Sequence, residues 1–160
     1  MVQYMRPSSD IASSGVVYST GTSIYSLIDE SVIDDNDYVY ISNTNSYFTV
    51  GLETPVSTPA SNLEHTIHIR SKYSTGLPSS RVVTLLQNTT SIASFTLTPT
   101  TTYKDYVFTL TEAQIGNISD YSALRLKVSI GTSGFQYNLY ISQAYLEIET
   151  VSILELGCAF

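Results

Sequence analysis

Hydrophobic and polar residues alternate along most of this chain, and that period of two restricts the chain to β-structure. In HTIHIRS (65–71), Thr66, His68 and Arg70 share one face, while Ile67 and Ile69 share the other. Successive side chains of a strand point to opposite faces, so this alternation predicts strands with one buried face. Comparable patterns occupy nine segments, which are 15–20, 38–42, 47–52, 65–71, 82–87, 91–98, 105–110, 125–130 and 138–149.

Turn-forming residues separate these segments, and one short stretch has a helical pattern. Thr111 can cap a single helical turn that begins at Glu112 and ends at Gly116. The sequence contains no βαβ unit of about 30 residues, which excludes a parallel α/β sheet. We therefore predict an all-β fold, a single antiparallel β-sandwich of jelly-roll type with about 8–10 strands.

Two strand segments carry specific expectations about which side chains are buried. Tyr106, Phe108 and Leu110 share a face that should pack on the core. In NLYISQAYLEIE (138–149), strict alternation predicts two opposite faces. One contains Leu139, Ile141, Gln143, Tyr145, Glu147 and Glu149, and the other contains Tyr140, Ser142, Ala144, Leu146 and Ile148.

Charge excludes two classes of partner. The formal net charge is −7, and the 7 basic residues are scattered over the 160-residue chain. Nucleic-acid binding needs a concentrated basic surface, and an anionic membrane attracts the same kind of surface, so neither is expected as a partner. No segment approaches the ~20 apolar residues of a membrane span.

The two ends of the chain do not follow the sandwich pattern. We predict an extended N-terminal arm (1–14), a jelly-roll domain (15–150) and a C-terminal tail (151–160). The arm should lie either on a partner or back over the domain's own sheet. Candidate partner-binding residues are Tyr4, Met5, Pro7, Leu154, Leu156 and Phe160. The first residues lack the apolar region of a signal peptide, so we expect synthesis in the cytoplasm without one.

The acidic segment 34–37, Asp-Asp-Asn-Asp, is the main candidate for a metal site. Calcium needs six to eight oxygen ligands, and consecutive carboxylates cannot all turn inward on one ion. Asp and Asn also form tight turns by bonding to their own backbone two residues on. We interpret the segment as a structural turn in which Asp34 and Asp35 cap and Asp37 opens the next strand, and we expect neither metal nor cofactor.

No motif for catalysis stands out. His65 and His68 lie three apart on a strand and so face opposite sides. Cys158 has no base near it in the sequence and is interpreted as a packing residue. Glu147 and Glu149 could act as paired carboxylates, but the favoured interpretation is solvated edge residues on the last strand. We therefore expect a protein that is not an enzyme.

One family resemblance covers residues 25–149. The order YSLIDESVIDDNDYVYIS, HTIHIRSK, TLTPTTTYKDYVFTLTEAQIGNISDYSALRLKVSI and AYLEIE resembles a jelly-roll domain of tailed-bacteriophage virion proteins. That resemblance implies a structural or adhesive role on a particle and transfers no catalytic residues.

Two functions follow as expectations. The first is a virion structural protein, a capsid decoration (cement) or head or tail accessory subunit. It would bind the major capsid protein or other virion subunits, form a homo-oligomer and reside in the virion. The alternative is a carbohydrate-binding or host-recognition module of a phage fibre, or a secreted glycan-binding protein, whose 13 tyrosines would stack on sugar rings. The 0 tryptophans count against that alternative, because Trp offers the larger stacking face.

Overall fold

Eleven strands form two antiparallel sheets in the computed structural model, which describes residues 1–42, 44–57, 59, 62–74, 80–132 and 137–150. The strands are β1 (Val2–Met5), β2 (Pro7–Ser14), β3 (Val16–Tyr18), β4 (Val39–Ile41), β5 (Tyr47–Leu52), β6 (His65–Ser74), β7 (Arg81–Gln87), β8 (Thr90–Thr96), β9 (Lys104–Thr109), β10 (Leu124–Ile130) and β11 (Asn138–Glu149). Each of the nine segments predicted from the alternation overlaps one of these strands. The predicted all-β sandwich is confirmed.

The first sheet has six strands, and its order is β3-β4-β11-β6-β9 with β1 also paired to β11. β4 pairs with residues 139–141 of β11, and β1 pairs with residues 146–149. β6 pairs along the opposite side of β11. The second sheet has five strands in the order β2-β5-β10-β7-β8. β11, the last strand along the described chain, is therefore central rather than an edge strand.

The inner faces of the two sheets pack together into one hydrophobic core. The six-stranded sheet contributes Ile67, Ile69, Leu139, Ile141, Leu146 and Ile148, and the five-stranded sheet contributes Phe48, Val50, Val83, Leu85, Leu126 and Val128. The predicted phase of 105–110 is confirmed. Tyr106 and Phe108 pack against the core, whereas Val107 between them is exposed. Phe108 stacks on Phe95 of the other sheet, with ring centroids 4.9 Å apart.

The segment predicted as an arm contributes a strand to each sheet. β1 pairs with β11, and β2 pairs with β5 through two register shifts. Met5 and Pro7 are buried, and the N–H of Glu53 donates to the carbonyl of Arg6 at 2.8 Å. Residues 1–14 therefore lie on the protein's own sheets, which is one of the two placements expected for them. Alternation did not indicate these strands, since PSSDIASS has few hydrophobic residues.

The strict alternation predicted for β11 is wrong, because its pairing with β6 shifts register between Ile141 and Gln143. A β-bulge inserts one extra residue and so reverses the side-chain phase along the strand. Leu139 and Ile141 before the bulge are buried together with Ala144, Leu146 and Ile148 after it. Tyr140 and Tyr145, predicted on opposite faces, therefore both lie on the outer face.

The expected helical turn is present as α1 (Glu112–Gly116). The hydroxyl of Thr111 accepts a hydrogen bond from the N–H of Gln114, whose side chain accepts one from the N–H of Thr111, which completes a capping box. Among the described residues, no helix is long and apolar enough to cross a membrane.

The Phe108–Phe95 stack gives a test of the strand phase. Phe108→Ala should lower the free energy of unfolding by about 3 kcal/mol, the lower end for a Phe in a core, because the ring is only partly buried. Val107→Ala, one residue away on the outer face, should change it by less than about 0.5 kcal/mol. Urea unfolding of both variants measures the difference, and equal effects would contradict this packing.

Deletion of residues 1–14 tests whether β1 and β2 belong to the domain. The deletion removes Met5 from the core and leaves β5 and residues 146–149 of β11 unpaired on the side that β2 and β1 occupy. We expect the truncated chain to lose its cooperative thermal transition, as followed by circular dichroism. A truncated domain that melts within a few degrees of the full chain would show that the two strands add little.

Candidate functional site

The outer face of the six-stranded sheet carries most of the aromatic and charged side chains that pair across strands. β6 presents Thr66, His68, Arg70 and Lys72 on this face, as their alternation predicted. Register places His68 opposite Tyr145, and Lys72 opposite Tyr140. β4 continues the second of these rows, since Tyr40 lies opposite Tyr140. The face is thus a surface of aromatic rings and cations.

One cluster of rings, called here the Tyr140 patch, consists of Tyr38, Tyr40, Tyr103, Tyr140 and Lys72. The Tyr140 ring lies 5.2 Å from that of Tyr38 and 5.0 Å from that of Tyr40, centroid to centroid. The Lys72 ammonium lies 4.7 Å from the Tyr103 centroid and 5.1 Å from the Tyr140 centroid. Cation–π attraction therefore holds the Tyr103 and Tyr140 rings in place, and all four rings of the patch are half-buried.

A second cluster, the Tyr145 patch, consists of Tyr4, Arg6, His68 and Tyr145. His68 stacks on Tyr145 with centroids 4.5 Å apart and planes 10° apart. Tyr4 meets Tyr145 edge to face at 5.7 Å, and the Arg6 guanidinium lies within 5.5 Å of both tyrosine centroids. His68 also approaches Glu147, with Nε2 and Oε2 3.2 Å apart. Burial lowers the pKa of His68 despite Glu147, so the ring is mainly neutral at pH 7.

The segment 28–37, called here the crossing loop, runs over the sheet between the two patches. It docks at the bulge in β11, where the N–H of Ala144 donates to the carbonyl of Ile28 at 3.0 Å. The carbonyl of Glu30 accepts from Gln143 at 2.7 Å and from Arg6 at 3.1 Å. These bonds lie along the stretch of β11 between the residues that pair with β4 and those that pair with β1.

Asp35 fixes the far end of the crossing loop. Its two carboxylate oxygens accept from Arg70 at 2.8 and 2.7 Å, and Oδ1 also accepts from the Ser142 hydroxyl at 2.8 Å. Hydrogen bonding to Arg70 lowers the pKa of Asp35, so Asp35 is ionised at neutral pH. Arg70 reaches Asp105 as well, at 3.2 Å. A bidentate Arg–carboxylate pair thus ties the loop to β6 across β11.

The acidic turn is built into this loop. Asp34 accepts from the backbone N–H of Asn36 at 2.9 Å, as an Asx turn does, whereas Asp35 serves as the anchor to Arg70 rather than as a cap. Burial raises the pKa of Glu30 to about 7. Nearby carboxylates act in the same direction, whereas a hydrogen bond from the backbone N–H of Glu30 acts against it. Within the described part of the chain, no three His, Cys, Asp or Glu residues are grouped to hold a metal ion.

A cavity of about 190 Å³ lies under the crossing loop. Its lining includes Ile33 from the loop and His68, Arg70 and Tyr145 from the sheet. Apolar, aromatic and charged groups therefore converge where the Tyr145 patch meets the loop, which suits a ligand with both hydroxyl groups and an apolar face.

The residues predicted to bind a partner lie in different places. Tyr4 belongs to the Tyr145 patch and its side chain is half exposed, whereas Met5 and Pro7 are buried inside the domain. Leu154, Leu156 and Phe160 lie outside the described residues, as does Cys158. Partner binding through these six residues stays a prediction, although burial of Met5 and Pro7 removes them from the accessible surface.

The candidates for acid–base chemistry are held in structural roles. His65 is buried, with Nδ1 3.0 Å from the Leu63 carbonyl and Nε2 2.6 Å from the Tyr121 hydroxyl. His65 and His68 face opposite sides, as predicted. Glu147 lies beside His68 on the outer face of a central strand, so the interpretation of Glu147 and Glu149 as edge residues is wrong.

The sequence indicated Tyr4 as a binding residue, but it did not indicate that the other rings of the two patches meet. Tyr38 and Tyr40 alternate as expected, but Tyr140 and Tyr145 are five residues apart and share a face only because of the bulge. Tyr103 lies outside every predicted strand. The one available signal was the excess of 13 tyrosines over 5 phenylalanines, which indicates aromatic residues placed in contact with water.

The fold is similar to those of several solved structures, although no family model and no curated protein matches the chain. The C-terminal CBM6 of LamC, a marine laminarinase from Zobellia galactanivorans, aligns with a TM-score of 0.52 and 13% identity over 94% of this chain and 100% of that one. SGBP-B from a complex xyloglucan utilisation locus in Bacteroides uniformis aligns with a TM-score of 0.54 and 10% identity over 86% of this chain and 46% of that one.

A third similar structure is the arabinose-bound MgGH51 α-L-arabinofuranosidase, with a TM-score of 0.53 and 14% identity over 89% of this chain and 23% of that one. At these identities the similarity concerns the fold. The chain has a jelly-roll β-sandwich that matches those of carbohydrate-binding modules. These structures give no support to the resemblance to phage virion proteins.

The anchor of the crossing loop can be tested with Asp35→Asn. This variant removes the negative charge that pairs with Arg70 and should lower the free energy of unfolding by about 1–2 kcal/mol at pH 7. The loss is modest because the Asp35 side chain is 35% exposed. Asp34→Asn, which keeps an Asx-turn acceptor, should cost less than about 0.5 kcal/mol.

The same pair has a defined pH dependence. The pKa of Asp35 is lowered on folding, so its contribution should be present above the unfolded pKa of about 4 and disappear as pH falls through the folded pKa. Urea unfolding of wild type and Asp35→Asn between pH 2 and pH 7 measures it. A difference that grows at low pH would contradict the assignment.

Proposed function

We propose that this protein is a non-catalytic glycan-binding module and that it holds a sugar chain against the outer face of the six-stranded sheet. The observation that carries the proposal is the pair of aromatic patches, seven tyrosine and histidine rings on one sheet face. Aromatic rings offer an apolar face to the C–H side of a sugar, and tyrosine adds a hydroxyl that hydrogen-bonds.

Rigidity of the rings supports the same function. Each patch is braced by a cation, Lys72 in the Tyr140 patch and Arg6 in the Tyr145 patch. Rings already fixed in place lose little side-chain entropy when a ligand binds, so more of the contact energy appears as affinity. The crossing loop between the patches separates two places where sugar units could stack.

The similar structures support this function over the capsid one. Two of them are named as a carbohydrate-binding module of a laminarinase and as a protein of a xyloglucan utilisation locus. Laminarin and xyloglucan are therefore the first ligands to test. The capsid-decoration interpretation has no support from the comparisons, and the glycan-binding alternative replaces it as the main proposal.

Affinity gel electrophoresis with laminarin or xyloglucan in the gel tests the proposal. We expect the wild type to be retarded by at least one of them, and Tyr140→Ala and Tyr145→Ala to weaken binding about tenfold each, because each removes a ring worth about 1–1.5 kcal/mol. Tyr25→Ala is the matched control, since Tyr25 lies in the short 3₁₀ turn Tyr25–Leu27 and belongs to neither patch, and it should leave retardation unchanged.

Two results would contradict the proposal. The first is a wild type that no glycan of a broad neutral panel retards. The second is retardation that both patch variants keep in full. Stoichiometric recovery of the chain with purified virus particles, together with the first result, would instead restore the capsid interpretation.

A further inference from the structure

A second groove, of about 340 Å³, lies on the outer face of the five-stranded sheet. It runs across β2, β5, β10 and β7, on the side of the molecule opposite the tyrosine patches. Its lining includes Arg125, Lys127 and Ser129 of β10, Thr49 of β5 and Thr84 of β7, with Asn88 at one end. We call it the β10 groove.

Strand register explains why these polar groups converge. On β10 the side chains of Leu124, Leu126, Val128 and Ile130 enter the core, so the alternate residues Arg125, Lys127 and Ser129 face outward. Lys127 lies directly between Thr49 and Thr84 on the two neighbouring strands. A cation is therefore flanked by hydroxyl groups along the floor of the groove.

The charge of the β10 groove is opposite to that of the protein. Although the chain has a net charge of −7, no Asp or Glu is among the residues that line the groove. Within the described residues, ion pairs engage Arg70 and His68 but neither Arg125 nor Lys127. The Lys127 ammonium is held 4.8 Å from the centroid of the Tyr47 ring, which orients it without neutralising it.

The Cα atoms of residues i and i+2 on one strand face lie about 7 Å apart, and like charges carried by such neighbours repel each other. An anion placed between them would relieve this repulsion and accept charge-assisted hydrogen bonds from both. The hydroxyls of Thr49, Thr84 and Ser129 and the amide of Asn88 could in turn bond to neutral hydroxyl groups of the same ligand.

We infer that the β10 groove is a second binding site, one that takes an acidic saccharide whose carboxylate or sulfate groups bind Arg125 and Lys127. A saccharide fits better than a nucleic acid, because only two cations are available and the −7 charge of the protein repels a strand with a phosphate at every nucleotide. This site is separate from the tyrosine patches, so it stands whether or not they bind glycans.

Calorimetric titration of the whole protein with charge-matched pairs of polymers tests the inference. Polygalacturonate against its methyl ester probes the carboxylate, dextran sulfate against dextran probes the sulfate, and oligothymidylate probes nucleic acid. We expect at least one of the two polyanions to bind about tenfold or more tightly than its uncharged counterpart, and its affinity to fall as salt is raised.

Variants assign the binding to the groove. The double variant Arg125→Gln with Lys127→Gln should lose the preference for the charged polymer, while its thermal melting confirms folding. Lys104→Gln, exposed on the other sheet, removes one positive charge, as the single variant Lys127→Gln does, and it should keep the preference that Lys127→Gln weakens. Tyr140→Ala should keep it as well, which separates this site from the proposed neutral-glycan site.

Any of three results would overturn the inference: no preference for either polyanion in the wild type, a preference that survives the double variant, or tighter binding of oligothymidylate than of both polysaccharides. The inference would also be overturned if Lys104→Gln lost as much of the preference for the charged polymer as Lys127→Gln does, because net charge alone would then account for binding.

Discussion

Strand β11 runs for 12 residues through the middle of the six-stranded sheet, and its ladder with β6 is interrupted at Ser142 and Gln143. Because of the bulge, hydrophobic residues at odd-numbered positions before it and at even-numbered positions after it enter the same core. The bulge also brings Tyr140 and Tyr145 to the same outer face. Without the extra residue, one half of β11 would expose leucine and isoleucine and bury its tyrosine.

The interruption also gives the crossing loop its place. One stretch of β11 lies between the residues that pair with β4 and those that pair with β1. In this stretch the backbone N–H of Ala144 donates a hydrogen bond to the carbonyl of Ile28 in the loop. A buried backbone donor needs such a partner, so the loop completes the sheet at this point. Asp35 then reaches Arg70 across β11 and holds the loop over the face. The acidic turn thus belongs to a loop that an ion pair anchors to the sheet.

The two outer faces of the sandwich have different chemistry on the same scaffold. The face of the six-stranded sheet is aromatic, and its cations contact tyrosine rings or, at Arg70, carboxylates. The face of the five-stranded sheet combines hydroxyl groups with the cations Arg125 and Lys127 in a groove lined without acids. Stacking suits the neutral ring of a sugar and the cations suit an anionic substituent, so the two proposals assign different saccharides to the two faces.

The class of fold and most of the strands follow from the amino-acid pattern alone. Alternation in segments such as 65–71 and 125–130 places hydrophobic residues on one face, and water drives that face into a core whatever the remaining topology. The capped helical turn at Thr111 was also predictable from the sequence, because all hydrogen-bonding partners of that motif lie within four residues.

Which residues meet across the surface depends on how the whole chain folds. The bulge in β11, the pairing of the hydrophilic segment 7–14 with β5 and the contact of Asp35 with Arg70, 35 residues away, depend on partners distant in the chain. No local pattern encodes such contacts, since a strand's outer face tolerates many side chains and its neighbour is set by topology. Both candidate sites lie on outer faces, and for that reason the sequence predicted the sandwich but not the surfaces that it presents.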